Sequence, residues 1–128
     1  MRKAFSSMLL AVVSSSAAAE WVQVGSTETT VVYADPASIR KADDTAKIWV
    51  LFDLKTAVPS AGTGPFMSSK AQYEYDCKQE RMRGLYYTIH SGSMAGGEVV
   101  GKNFGPTDWT PAAPDALNES LWKLACGK

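Results

Sequence analysis

The chain has 128 residues, with 13 basic and 13 acidic side chains and one histidine, so its formal net charge at pH 7 is zero. That length suits a single domain. Because nucleic acids and anionic lipid surfaces are bound by concentrated positive charge, the balance argues against either as the main partner.

The first nineteen residues have the three parts of a secretory signal peptide. A methionine and two basic residues precede an apolar stretch, Ala4–Val13, and small residues then lead to Ala19. The stretch is too short for a membrane-spanning helix, which needs about 20 apolar residues. We expect cleavage between Ala19 and Glu20. Residues 20–128 then form one domain of 109 residues (128 − 19), with 11 basic and 13 acidic side chains.

The mature chain opens with two predicted short strands, Trp21–Gly25 and Thr29–Ala34. Asp35 precedes a proline, and this pair is typical of a helix N-cap followed by the first helical position. One helical turn is therefore predicted over Pro36–Arg40. A further turn is predicted at Asp43-Asp44.

Two longer segments alternate with the period of a strand. Lys47–Lys55 places Ile48 and Val50 on one face, which predicts a central strand with that face in the core. Lys70–Lys78 places its tyrosines on one face and charged residues on the other. The second face is therefore predicted to be solvated.

The rest of the chain predicts two more strands and a helix. The strands are Arg83–Ser91 and Glu98–Asn103, joined by a turn at Ser93–Gly97. The leucines at 117, 121 and 124 have the spacing of one helical face, and Gly127 suits a C-terminal cap. Together these elements predict an α+β fold, an antiparallel sheet of about six strands with one C-terminal helix packed on one face.

The two cysteines, Cys77 and Cys126, predict one disulfide bond in an exported protein. A zinc site is the weaker alternative, because the single histidine, His90, does not complete a Cys/His set of the usual spacing. Cys126 points away from the leucine face at about 100° per residue. We therefore expect the helix to end or loosen near Ala125, so that Cys126 can reach Cys77.

No group of residues predicts a catalytic, cofactor or metal site. Nothing in the sequence ties a nucleophile to His90. Glu74 and Asp76 share a strand face and have the spacing of a carboxylate pair. On a solvated face, however, neither carboxyl would have its pKa raised, so a surface role is the better interpretation. A non-catalytic protein without a cofactor is expected.

Four residues are candidates for a binding surface. Lys78, Arg81 and Arg83 form a small basic cluster at a turn between strands, suited to an acidic or sulfated partner. The alternative is a solvated hairpin end. Trp49 is a candidate anchor, since tryptophan is frequent at binding hot spots. The alternative is a place in the core.

Several segments resemble the surface-adhesin protein E family of small exported bacterial domains. They are 32–36 (VYADP), 48–53 (IWVLFD), 68–77 (SSKAQYEYDC) and 121–128 (LWKLACGK). The resemblance implies a bent antiparallel sheet, one helix on its concave side and a disulfide between them. The family's namesake is a lipid-anchored adhesin for host matrix and serum proteins. This chain lacks the cysteine that would take the lipid, so we expect a periplasmic or secreted protein without a membrane anchor.

The leading hypothesis is a non-catalytic, adhesin-like domain of the bacterial envelope that binds another protein through a sheet face or edge. The partner would be an extracellular-matrix or envelope protein, and a homodimer through a strand edge is a further expectation. The alternative is an inhibitor of an envelope-directed hydrolase such as a lysozyme or a protease. An enzyme that uses Glu74 and Asp76 is the third hypothesis.

Overall fold

The computed structural model describes residues 20–59, 64–112 and 116–128. The strands are β1 (Val22–Ser26), β2 (Thr30–Ala42), β3 (Thr45–Val58), β4 (Phe66–Asp76), β5 (Arg81–His90), β6 (Val99–Phe104) and β7 (Thr110–Pro111), and the helix is α1 (Ala116–Cys126). A 3₁₀ turn occupies Ser93–Ala95. The predicted signal peptide lies outside the described residues, so it stays a prediction.

The sheet is an antiparallel meander in the order β1-β2-β3-β4-β5-β6, and β7 pairs with the start of β5. The predicted antiparallel sheet of about six strands with one C-terminal helix is therefore confirmed. The two-residue β7 was not predicted, because a pair of residues shows no alternation. Among the described residues there is no helix both long enough and apolar enough to span a membrane.

The core lies between α1 and one face of the sheet, called here the inner face. Ile48, Val50 and Tyr75 are fully buried on this face, as the alternation of their strands predicts. From α1, Leu121 packs against them, and Trp122 donates a hydrogen bond from Nε1 to the Asp76 carbonyl at 2.7 Å. The opposite side of the sheet is called the outer face.

The predicted disulfide between Cys77 and Cys126 is present, with the two Cα atoms 5.6 Å apart. The helix ends one residue beyond Ala125, so the expected end near Ala125 is confirmed to within one residue, although Cys126 is itself still helical. Cys77 lies just beyond the end of β4, and its bond to Cys126 joins that end of the strand to the last residue of the helix. Gly127, at φ 72°, then caps the helix, and Lys128 N–H donates to the Lys123 carbonyl.

The predicted helical turn at Pro36–Arg40 is wrong. β2 continues through it, with an irregular register between Asp35 and Arg40. The capping chemistry is nevertheless used, since the Asp35 side chain accepts a hydrogen bond from Ala37 N–H at 3.1 Å. Ser38 Oγ donates to the Asp35 carbonyl and accepts from Trp49 N–H on β3. Because this segment of β2 pairs with β3, it forms a β-bulge instead of the first turn of a helix. The turn predicted at Asp43-Asp44 is confirmed.

The connection between β5 and β6 folds back over one end of the outer face. Ser68 Oγ donates to the Gly92 carbonyl at 2.6 Å and accepts from Ala95 N–H at 2.8 Å. Asp53 Oδ1 accepts from Met94 N–H at 2.8 Å. This cover explains why Leu51, on the outer face of β3, is fully buried.

Candidate functional site

Strand register arranges the uncovered part of the outer face into rows that run across the sheet. The central row is Asp35, Trp49, Gln72, Tyr86 and Phe104, each opposite the next. Three of its members are aromatic, and we call Trp49, Tyr86 and Phe104 the aromatic row. Since strands lie about 4.8 Å apart, this row extends roughly 14 Å from β3 to β6.

The rings of the aromatic row contact one another. The Trp49 and Tyr86 centroids are 5.6 Å apart in an edge-to-face arrangement. The Tyr86 and Phe104 centroids are 4.7 Å apart with a tilt of 35°. Phe104, on the last strand of the sheet, is 65% exposed. The row is therefore a supported aromatic surface that is open at the β6 edge.

A β-bulge in β5 places Tyr86 on this face. Gln72 lies opposite Tyr86, and Tyr73 lies opposite Gly84, so Leu85 is an extra residue between them. Without it, the alternation that puts Arg83 on the outer face would put Tyr86 on the inner one. Simple alternation along this segment could not have found the residue.

Cations lie on both sides of the aromatic row. On one side, Thr88 lies between Lys70 on β4 and Lys102 on β6. Lys70 Nζ is 5.2 Å from the centre of the Trp49 ring. On the other side Lys47 lies between Arg40 and Glu74. Neighbouring rows on one face are two residues apart along the strand, or about 7 Å.

The basic cluster predicted at the hairpin is neutralised by acidic side chains. Arg81 Nε donates to Asp76 Oδ2 at 2.9 Å, and Arg83 Nη2 lies 2.7 Å from Glu74 Oε1. Both guanidinium groups also stack on Trp109, at 4.8 and 4.4 Å from its ring. Arg81 and Arg83 thus hold Trp109, in the segment before β7, against β5.

The four candidate residues do not form one site. Trp49 lies in the aromatic row, and Arg83 lies in the next row of the same face. Arg81 is one row further along, and Lys78 is in the turn beyond β4, where its Nζ is 3.8 Å from Asp44 Oδ2. A binding role for these residues stays a prediction.

The predicted solvated environment of Glu74 and Asp76 is wrong, since each is only 7% exposed. The arginines of β5 and the segment before β7 cover them. Burial of Asp76 acts to raise its pKa. Hydrogen bonds from Lys78 N–H, the Arg81 side chain and Gln79 N–H outweigh burial, and the pKa of Asp76 is lowered. A general acid needs the opposite shift, so this arrangement favours a structural carboxylate.

His90 is a buried side chain on the outer face, near the β5–β6 connection. Its Nε2 hydrogen-bonds Thr88 Oγ1 at 2.7 Å. Burial, and next the charge of Lys70, lower the pKa of His90. Within the described ranges, no three residues of the metal-ligating types are grouped as a metal site.

Sequence reasoning missed Tyr86 and Phe104, and it did not predict the contacts of Trp109. Phe104 immediately follows the predicted strand Glu98–Asn103, so its place at the end of that strand was readable. Tyr86 is displaced by the bulge, and Trp109 is positioned by the two arginines of another strand. Neither of these two placements has a local signal.

Comparison with known proteins places this architecture in a family. Two solved structures of Haemophilus influenzae protein E have a similar fold. The selenomethionine form has a TM-score of 0.60 and 10% identity, with 81% of this chain and 90% of that chain covered. Crystal form II has a TM-score of 0.57 and 10% identity, with 83% and 96% covered. No curated protein matches the sequence. The family profile described as surface-adhesin protein E matches residues 21–127, and the chain therefore belongs to that family.

Proposed function

We propose that this protein is a non-catalytic, adhesin-like domain, exported to the periplasm or secreted, that binds another protein through its outer face. The observation that carries the proposal is the aromatic row, a contiguous surface of Trp49, Tyr86 and Phe104 on the side of the sheet away from the helix. Exposed aromatic residues are favoured anchors of protein interfaces. Membership of an adhesin family supports the same function.

The cellular location proposed here rests on the disulfide and on the sequence. Such a bond is typical of oxidising compartments, so Cys77–Cys126 is consistent with export. Cleavage between Ala19 and Glu20 remains part of the proposal. The intact mass of the protein purified from its native compartment tests this cleavage, because the mature chain should begin at Glu20.

Replacing Phe104 with alanine tests the binding face. Binding of the purified protein to immobilised extracellular-matrix proteins and to envelope proteins is measured by surface plasmon resonance. We expect F104A to weaken binding by about thirtyfold, as for an aromatic hot spot worth about 2 kcal/mol. The matched control is V22A, because Val22 is also apolar and 50% exposed but lies on β1 at the other edge.

Equal binding by F104A and the wild type would contradict the proposed face. Loss of binding by both F104A and V22A would also contradict it, because the effect would then not be specific to the aromatic row. The circular dichroism and thermal midpoint of each variant should stay at the wild-type values.

A second copy of the chain is proposed to add at the β6 edge. β6 ends the order of paired strands, and its Val99 is 53% exposed. Such an edge offers unpaired backbone groups and apolar side chains to another strand. We expect the wild-type protein to sediment as a dimer. The V99K variant should sediment as a monomer, because a lysine on an edge strand opposes pairing with another strand. A monomeric wild-type protein, or a V99K dimer, would contradict this.

Among the described residues, no observation favours inhibition of a hydrolase. An inhibitor of this kind would present a projecting loop to an active-site cleft. The β5–β6 connection instead packs on the sheet through Ser68 and Asp53.

A further inference from the structure

We infer that the partner bound at the outer face presents an acidic, apolar-containing segment, which lies along the aromatic row with its carboxylates over the flanking lysines. This inference rests on the proposed function and gives the chemistry of the partner. It follows from the charges of the rows beside Trp49, Tyr86 and Phe104.

Three lysines surround the aromatic row. Lys70 and Lys102 lie in the row on one side, and Lys47 lies in the row on the other. Lys47 and Lys102 are exposed. Within the part of the chain that the structure describes, none of the three forms a salt bridge. Their ammonium groups are thus available to a ligand.

The carboxylates in these rows are already engaged. Asp35 accepts the hydrogen bond from Ala37 N–H, and Glu74 is paired with Arg83. Both are buried. An approaching acidic segment therefore meets lysines that are exposed and carboxylates that are neutralised or held by the backbone. Among the described residues of these rows, the exposed charges left without an ion-pair partner are therefore positive although the whole chain is neutral, and such local charge selects oppositely charged partners.

The spacing of the cations favours a peptide over a sulfated glycan. Arg81 and Arg83, which have the geometry for bidentate sulfate binding, are occupied by Asp76 and Glu74. The available lysines are dispersed, since Lys70 and Lys102 are two strands apart, or about 10 Å. A dense polyanion needs concentrated positive charge. Separated carboxylates with apolar side chains between them match lysines that flank an aromatic row.

The experiment is a nuclear magnetic resonance titration of the ¹⁵N-labelled, oxidised protein with a short synthetic peptide of alternating glutamate and leucine. The Trp49 indole resonance reports the aromatic row. The Trp122 indole is an internal control, because it is buried in the core and bonded to the Asp76 carbonyl. We expect a saturable shift of the Trp49 resonance alone, weakened by salt because exposed charges are screened.

The test variant is K47Q/K102Q, and its matched control is K41Q/K123Q. Lys41 and Lys123 are also exposed, but Lys41 lies opposite the inner-face residue Ala46 and Lys123 is on the helix. We expect about fivefold weaker peptide binding by K47Q/K102Q, as for two exposed ion pairs, and unchanged binding by the control.

Three results would overturn the inference: no Trp49 shift with the peptide, equal binding by K47Q/K102Q and the wild type, or a shift produced by heparin at lower concentration than by the peptide. The last would assign a sulfated glycan instead. If any of these occurs while F104A still weakens binding of a protein partner, the proposed face stands and only its acidic ligand is wrong.

Discussion

His90 shows how one buried residue can make the stability of this domain depend on pH. Its imidazole is nearly inaccessible and hydrogen-bonds Thr88, and the charge of Lys70 lies close enough to oppose protonation. The folded state therefore favours the neutral ring, and its pKa is below that of the unfolded chain.

We expect the free energy of unfolding to fall as the pH drops from 7.5 to 5.5. The unfolded chain takes up a proton on His90 near pH 6.5, whereas the folded protein resists it, so protonation favours unfolding. Asp76 contributes little in this window, because its pKa is lowered from a value already below 4. Urea denaturation at both pH values measures the change. In H90Q the fall should be smaller, and an identical fall would show that His90 is not its source.

The β5–β6 connection is an element held on the sheet by few polar contacts. Ser68 is fully buried and bonds both Gly92 and Ala95, while Asp53 holds Met94. Met94 and Ala95 both have positive φ angles, which non-glycine residues rarely adopt. The hydrogen bonds therefore maintain a conformation that the local sequence does not prefer.

Replacing Ser68 with alanine should release this connection. Two hydrogen bonds are lost and the partly buried Gly92 carbonyl and Ala95 N–H are left without this partner, so we expect a loss of about 1–3 kcal/mol in the free energy of unfolding. Amide hydrogen exchange should accelerate at Ala95, whose N–H donates to Ser68. The control is S69A on the same strand. Unchanged exchange at Ala95 in S68A would contradict the assigned role.

At the scale of the whole molecule, one covalent bond ties the helix to the sheet. Cys77 and Cys126 are 49 residues apart in sequence, and the loop between them contains all of β5, β6 and β7. Trp122 reinforces the same junction through its hydrogen bond to Asp76. The helix covers the apolar inner face, so its attachment controls exposure of the core.

Removing the bridge in C77S/C126S should lower the free energy of unfolding by about 4 kcal/mol, because a loop of roughly 50 residues becomes unrestrained in the unfolded chain. Urea denaturation of the oxidised wild type and the variant measures this. Reduced wild-type protein is the matched control and should resemble the variant. A variant as stable as the oxidised protein would contradict the prediction.

The secondary structure was largely readable where it depends on local periodicity. Alternation in Lys47–Lys55 placed Ile48 and Val50 in the core, and the leucine spacing placed a helix at the C-terminus. The helical turn predicted at Pro36–Arg40 is wrong because local sequence is ambiguous there. Asp35 and the following proline are compatible with a helix start or with a bulge. Only the presence of β3 as a hydrogen-bonding neighbour selects the bulge.

By itself, the amino-acid order determined the period of each long element, the single pairing open to two cysteines and the neutral overall charge. Tertiary structure alone decided which side chains become neighbours across strands. The β5 bulge brings Tyr86 beside Trp49, and arginines from β5 bury Glu74 and Asp76, which alternation had placed in water. The physical reason is that strand register is a pairing between distant segments, so no local pattern within one strand contains it.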